Sequence, residues 1–405
     1  MKFILNSTTT SARSGVIKDV PRLPDFEFET PYLFLYTKGG NIPYVTHEIS
    51  EMITKENIAL HVPLTTISNI GERIKLYDKP LADFIGMKNL LTYLTIIDPE
   101  QEQKEKQNAK GHVSLWTLNG RKQYNAESYL KLVKDSKPDM FAIISGSCTP
   151  KVKKKFEEKF EADVTIFKKC LEIFKNSNLP KNTEVLGTLP GGSDLNFREK
   201  FSKVVGESSV FGVVIDGLAT NGIKAADLKI DDVKPLLEAS LKHIPDEKLR
   251  IIHGCWNPKT ALDLVEMGVD VLDSSYPSII AEQGGALSFI NNKKLFMEDF
   301  ISEKVKTDEP TEKKPKLDSG FFISLHDSKY EKSFEPISST CTCFACQNHT
   351  RAYIHHLLNV KELLGKMLLT IHNLHHYLTF FATIRTSVKS GQFHELVKNF
   401  DSLYS

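Results

Sequence analysis

Three cysteines stand within six residues, in the run Cys341-Thr-Cys343-Phe-Ala-Cys346. Thiolates are soft donors, and this spacing lets one short loop wrap a small ion. Zinc asks for four such donors, or three with an imidazole, in a tetrahedron. The segment that follows offers His349, His355, His356, His372, His375 and His376. His349 stands only three residues past Cys346, close for a loop that already carries three ligands. His372 lies further along a stretch of helical periodicity, where ligation pins that helix to the loop, and it is the favoured fourth ligand. A closed set of four leaves no position for water, so one Zn2+ held there is structural, and its binding contributes on the order of 10 kcal/mol to folding.

Elements that could position such a loop recur along the chain. Apolar runs rich in β-branched or aromatic residues occur at Tyr32–Tyr36, Met140–Ile144, Glu184–Leu189, Val210–Ile215, Leu249–Ile252 and Val269–Leu272. Amphipathic segments lie between them. In Lys151–Phe174, for example, Phe156, Phe160, Val164, Phe167, Leu171 and Phe174 recur every three or four residues. Strands alternating with helices predict a parallel sheet, and a chain of 405 residues is long enough to close it into a barrel. Glu303–Leu317 differs: EKVKTDEPTEKKPKL mixes charges with two prolines and offers little to bury, which predicts a mobile surface insertion. From Arg351 to Leu403 the periodicity is helical again.

Composition supports some classes of function less than others. The 52 basic residues are matched by 51 acidic ones, whereas a chain gripping nucleic acid alone usually shows a basic excess. The basic residues of Lys151–Phe174 are interleaved with Glu157, Glu158, Glu161 and Asp163, the pattern of a solvated helix face. No early apolar run resembles a signal peptide, and no window is long and apolar enough to suggest a membrane span. A cytoplasmic chain is expected, and in a reducing compartment a cysteine cluster more often binds metal than forms disulfides.

The residues also carry a resemblance. CTCFACQNHTRAYIHHLL followed by LLTIHNLHHYL resembles the zinc lobe of the tRNA-guanine transglycosylases, whose ligand histidine in a Thr-Ile-His-Asn-Leu helix matches His372. LRIIHGCWNPKTALDLVEMGVDVLDSSYP is similar to the family's stretch leading to its nucleophilic aspartate, which matches Asp273. SARSGVI with ETPYLFLYTKGGNIPYVT, SGSCTP at Ser145–Pro150, PGGSDLNFR at Pro190–Arg198 and IDGLA at Ile215–Ala219 add to the match. The resemblance spans nearly the whole chain except Glu303–Leu317. It implies a (β/α)8 TIM barrel with an inserted zinc lobe. The expected plan is a barrel body with N-terminal strands over 1–300, a flexible charged insertion over 301–330, and a zinc-binding helical lobe with the last barrel helix over 331–405.

Departures from the family pattern bear on activity. Asp83–Asp98 lacks the family's aspartate-serine-glycine-glycine-phenylalanine loop, whose aspartate serves as acid/base. Gly146 stands where the family has a base-reading aspartate, Pro190 where it has a glutamine, and Asp216 where it has the first glycine of a Gly-Gly-Leu-Ala turn. After Asp273 the chain reads Pro277, Ser278 and Ile279, and Glu282 replaces an arginine that faces RNA phosphates. A purine-like base is held by groups matched to its edge, and covalent exchange needs a positioned proton-transfer partner. Replacing a phosphate-facing arginine with glutamate turns attraction into repulsion.

With these losses, Asp273 reads as a vestigial nucleophile position, and no catalytic residue is assigned. The resemblance is then to a non-catalytic branch of the family. It implies a heterodimer with a catalytic queuine tRNA-ribosyltransferase subunit, which exchanges guanine for queuine at the wobble position of tRNAs with GUN anticodons. This chain would support tRNA positioning, meeting tRNA through the complex. The resemblance also implies peripheral association with the mitochondrial outer membrane. Two competing expectations remain. A chain active by itself would use Asp273 as nucleophile, with Asp83 or Asp98 as the only nearby carboxylates for acid/base work. A chain that has left RNA modification would fail to associate with a transglycosylase subunit.

Overall fold

The computed structural model describes all residues except 10–11, 68–70, 102–110, 118–119, 147–155, 178–182, 219–221, 292–319 and 405. Eight strands form a closed barrel: β1 (Tyr32–Tyr36), β2 (Ala59–Pro63), β3 (Leu91–Thr95), β4 (Met140–Ala142), β5 (Glu184–Leu189), β6 (Gly212–Ile215), β7 (Leu249–Ile252) and β8 (Val271–Asp273). Each pairs in parallel with its neighbours in sequence, and β8 closes on β1 through Val271, Leu272 and Asp273 against Tyr32, Leu33 and Phe34. Most of these strands are continuous apolar runs because both faces are covered. Six match the runs read from the sequence, with Met140–Ile144, Val210–Ile215 and Val269–Leu272 trimmed or shifted at their ends. The other two, β2 and β3, complete the ring.

The N-terminal end of the barrel is covered by a three-stranded antiparallel sheet, Lys2–Thr9, Ala12–Lys18 and Phe28–Thr30. Arg13 from this sheet is fully enclosed. It donates to the carbonyls of Asp246 and Lys248, just ahead of β7, and pairs with Asp270, just ahead of β8, at 3.2 Å. Sealing this end leaves the C-terminal ends of the strands as the open face, where barrels of this kind place their chemistry.

After β8 comes α1 (Ser275–Glu282), and then the chain leaves the barrel. Strand β9 (Gly285–Leu287) pairs antiparallel with β10 (Phe322–Ser324). The short helix α2 (Phe344–Asn348) and α3 (Arg351–Asn359) follow, each capped at its first turn, by Cys343 Sγ and by Thr350 respectively. Helix α4 (Leu363–Ser390) then returns to the barrel, and Gly391 ends it in the left-handed conformation before α5 (Phe393–Tyr404). Helix α4 is buried along most of its length because it serves two cores. Leu368 and Leu369 join a small core with Leu325, Tyr330, Ile337, Cys343, Cys346, Ile354 and Leu357, while Ile371 to Val388 join the barrel's own core. Glu303–Leu317 lies outside the described residues. Of the expected insertion 301–330, the part that is described carries β10 and a turn of 3-10 helix at Ser328–Tyr330.

Candidate metal centre and barrel mouth

Cys341 and Cys343 lie on the loop entering α2, Cys346 stands within that helix, and α4 brings His372 back to them across the small core. His372 Nδ1 is 3.7 Å from Cys341 Sγ, 3.5 Å from Cys343 Sγ and 3.3 Å from Cys346 Sγ. A tetrahedral ion with bonds of about 2.3 Å to sulfur and 2.0–2.1 Å to nitrogen separates such donors by about 3.5 Å. His372 Nε2 lies 2.8 Å from the carbonyl of Leu287, so its N–H can donate there and the lone pair on Nδ1 turns toward the thiols. The electrostatics also favour a cation. Hydrogen bonds with Cys341 and Cys346 push the Cys343 thiol far above the usual range, while those with Cys341 and Cys343 pull Cys346 far below it. Three crowded sulfurs cannot ionise together unless positive charge stands among them. The four residues can hold a metal ion.

Spacing favoured His372 over five other histidines, and the structure gives other partners to four of those five. His355 bonds the carbonyl of Leu325, His375 that of Ile53 and His376 that of Phe289. His349 stacks on Tyr353. The neighbouring Asn373 gives α4 its register against the barrel: its Oδ1 accepts from Leu287 N at 2.8 Å, and its Nδ2 donates to the carbonyls of Pro277 and Gly285.

At the barrel mouth, Asp273 is the last residue of β8, where a catalytic residue would stand. Its side chain is wholly enclosed. Oδ1 accepts from Ser275 N at 2.8 Å, and Oδ2 accepts from Gly254 N at 2.9 Å and lies 3.2 Å from His253 Nδ1. His253 reaches Tyr93 Oη with its other nitrogen and stacks on His61 at 4.1 Å. Burial, with His253 second, holds His61 well below the ordinary imidazole range.

Above this layer lies a cavity of about 550 Å³ lined by Tyr36, Lys38, Asp98, Glu100, Trp116 and Glu282, among others. Asp273 and Asp83 are not among its lining residues; Asp83 lies on a short helix, Leu81–Phe84. Asp98 accepts from Tyr36 Oη at 3.0 Å and from Thr65 Oγ1 at 3.1 Å, and burial raises its pKa. Lys38 bridges the mouth, 2.7 Å from Glu100 and 3.1 Å from Glu282. Burial pushes the nearly enclosed Glu100 carboxyl up to about 7 despite this bond. For the more exposed Lys38, the two carboxylates outweigh desolvation and raise the pKa.

The other departures form internal bonds of their own. Asp216 Oδ1 accepts from Gly217 N at 2.7 Å, and Oδ2 lies 3.5 Å from Ser145 Oγ. Gly146 N donates to Asp163 at 2.8 Å, and the buried Arg198 spans the carbonyls of Gly192, Asp216 and Gly217. Ser147–Pro150 of the SGSCTP run and Ala219 of IDGLA lie outside the described residues. Sequence reasoning singled out Asp273, Asp98 and Glu282, but not Glu100, Lys38, His61 or His253. Only barrel closure brings these together, although His253 stands in the quoted stretch before Asp273.

Comparison with known proteins agrees with this geometry. A family profile described as queuine tRNA-ribosyltransferase matches residues 8–405. The queuine tRNA-ribosyltransferase accessory subunit 2 of Xenopus tropicalis is 30% identical over 414 residues, covering 98% of this chain and 98% of that protein. The Drosophila virilis protein of that name is 30% identical over 405 residues, covering 98% and 92%. The Aedes aegypti one is 28% identical over 404 residues, again covering 98% and 92%.

Proposed function

From the premise that the chain belongs to the queuine tRNA-ribosyltransferase family, we propose that it is the non-catalytic subunit of a heterodimeric queuine tRNA-ribosyltransferase. Its partner carries out the exchange of guanine for queuine at the wobble position of tRNAs with GUN anticodons. This chain stabilises the catalytic subunit and helps to place the tRNA. The observation that carries the reading is the state of Asp273. A nucleophilic carboxylate must present a lone pair to the substrate, yet the Asp273 side chain is wholly enclosed and both its oxygens accept hydrogen bonds from inside the barrel. Among the described residues that line the mouth, Asp98, Glu100 and Glu282 are balanced by Lys38.

One structural zinc per chain completes the proposal. Cys341, Cys343, Cys346 and His372 hold it, and it ties the loop before α2 to α4, which itself packs on the barrel. The proposal includes a cytoplasmic location. No helix among the described residues is long and apolar enough to cross a membrane.

The test is incorporation of labelled guanine into a GUN-anticodon tRNA by this chain alone, by the catalytic partner alone, and by the mixture. Activity is expected only in the mixture, and Asp273→Asn in this chain leaves its rate unchanged. Exchange by this chain alone, abolished by Asp273→Asn, would overturn the reading.

A further inference from the structure

We propose that the cavity at the barrel mouth binds a small organic amine, whose ammonium group takes the position that Lys38 Nζ now holds between Glu100 and Glu282. Three elements that only barrel closure brings together build the site: Lys38 follows β1, Glu100 follows β3, and Glu282 ends α1. The volume of about 550 Å³ is that of an ordinary small-molecule pocket. Gly146, Pro190 and Asp216, which stand at the positions matched to the family's base pocket, are not among its lining residues, and neither is Asp273. The site is thus separate from base exchange, and the inference stands whether or not the proposed function does.

Two observations beyond the acidic rim point to a ligand. The Glu100 side chain is only 6% exposed, and one of its oxygens is unmet. Oε2 pairs with Lys38 at 2.7 Å, whereas Oε1 is buried with no hydrogen-bond partner among the described residues. A polar atom left unmet in the interior destabilises the fold until a donor reaches it. The second observation is that an ammonium already sits there. Lys38 Nζ lies 2.7 Å from Glu100 and 3.1 Å from Glu282, so the space between the two carboxylates fits a cationic nitrogen. Lys38 is itself 44% exposed, and its flexible stem can carry the charge out to water.

An entering amine restores both of these bonds and has a further N–H to turn toward Oε1. It also buries its carbon body, a gain that the exchange of one ammonium for another does not give. Trp116 specifies that body. It lies on the hairpin Val113–Thr117 with Gly120–Tyr124, keeps 37% of its surface exposed, and lines the cavity together with Ile279. An indole face takes a flat or apolar group and favours a cation close by. Lys38 is then an internal competitor that holds the mouth closed while no amine is bound.

The test is calorimetric titration of the intact chain at pH 8, where Glu100 is ionised. The probes are phenethylamine and 2-phenylethanol, which share a ring and chain but differ in charge. Saturable binding of the amine and none of the alcohol is expected. Quenching of Trp116 emission places the amine at the mouth, because the other tryptophan, Trp256, is enclosed. Glu100→Gln should weaken amine binding by about thirtyfold or more. Lys38→Met removes the competitor and should tighten it by about tenfold, a gain that a purely structural lysine would not give. No saturable binding up to about 10 mM amine overturns the proposal, as does equal binding of the alcohol. Unchanged affinity in Lys38→Met overturns it too. Either variant decides if the other fails to fold, and the comparison of amine with alcohol needs neither.

Discussion

The outer lobe and the barrel mouth both gather ionisable side chains into small buried spaces, but their donors face differently. At Cys341, Cys343, Cys346 and His372 the four donors converge on one point, and His372 is held in that direction from behind by the carbonyl of Leu287. At the mouth, Asp273, Asp98 and Glu100 each face neighbours inside the protein: Gly254 and His253, Tyr36 and Thr65, and Lys38. A residue kept in place is therefore not a function kept. What separates the two sites is whether the polar groups converge on a common centre or bond with one another.

The largest expected effect lies in the converging site. Cys343→Ser removes a ligand and the Sγ that caps α2. It should release the metal and lower stability by several kcal/mol, a large share of the roughly 10 kcal/mol that structural zinc can contribute. Metal content and thermal melting read the result together. Unchanged metal content would dissolve the contrast between the two regions. Next comes Asn373→Ala, which leaves Leu287 N and the carbonyls of Pro277 and Gly285 without their partner. A loss of about 3 kcal/mol is expected in denaturant melts with the metal still bound, because buried unsatisfied groups carry their full desolvation cost. Metal loss at the same time would show that lobe and barrel are not separable supports.

The mouth gives a smaller effect with a pH signature. Glu100 holds its proton up to about pH 7 in the folded chain, against an ordinary value of 4.5. Between those values the folded state binds the proton and the unfolded state does not, so this group's contribution to stability is lost as pH rises from 4.5 to 7. Glu100→Gln should remove that slope and stabilise the chain by about 2 kcal/mol above pH 7, with the gain vanishing near pH 4. Urea melts at pH 4, 6 and 8 check it. A destabilised variant at pH 8 would mean that the bond to Lys38 outweighs the burial.

The sequence was most informative where chemistry is written locally. Three thiols in six residues need no fold to announce a metal loop; spacing favoured His372 as the fourth ligand, and the Thr-Ile-His-Asn-Leu match added to it. Six of the eight strands were legible as apolar runs. The strand Ala59–Pro63 was missed because a histidine and a proline interrupt its apolar character, and the histidine points to a partner nearly two hundred residues away. Leu91–Thr95 is as apolar as the others but sits in the stretch searched for a lost catalytic loop. The lost catalytic residues were visible as substitutions, but their replacements were not. Nothing local to Glu100 shows that Lys38 will bridge it to Glu282, because that contact exists only once β1, β3 and α1 share one rim.

Glu282 offers the smallest effect and the finest comparison. It stands where the catalytic pattern has a phosphate-facing arginine, and Lys38 and Tyr44 are its partners. It is more than a third exposed, so solvent screens the pair, and contacts of that kind contribute below about 1 kcal/mol. Glu282→Gln should therefore shift the urea midpoint barely at all, since Lys38 keeps its shorter contact to Glu100. The exchange rate of the mixture should also stay unchanged if tRNA lies away from this rim. A clear rise in tRNA affinity, strongest at low salt, would mean that the acidic mouth faces the RNA and holds it off. The inward-bonded rim would then be an electrostatic guide, with its charges acting outward after all.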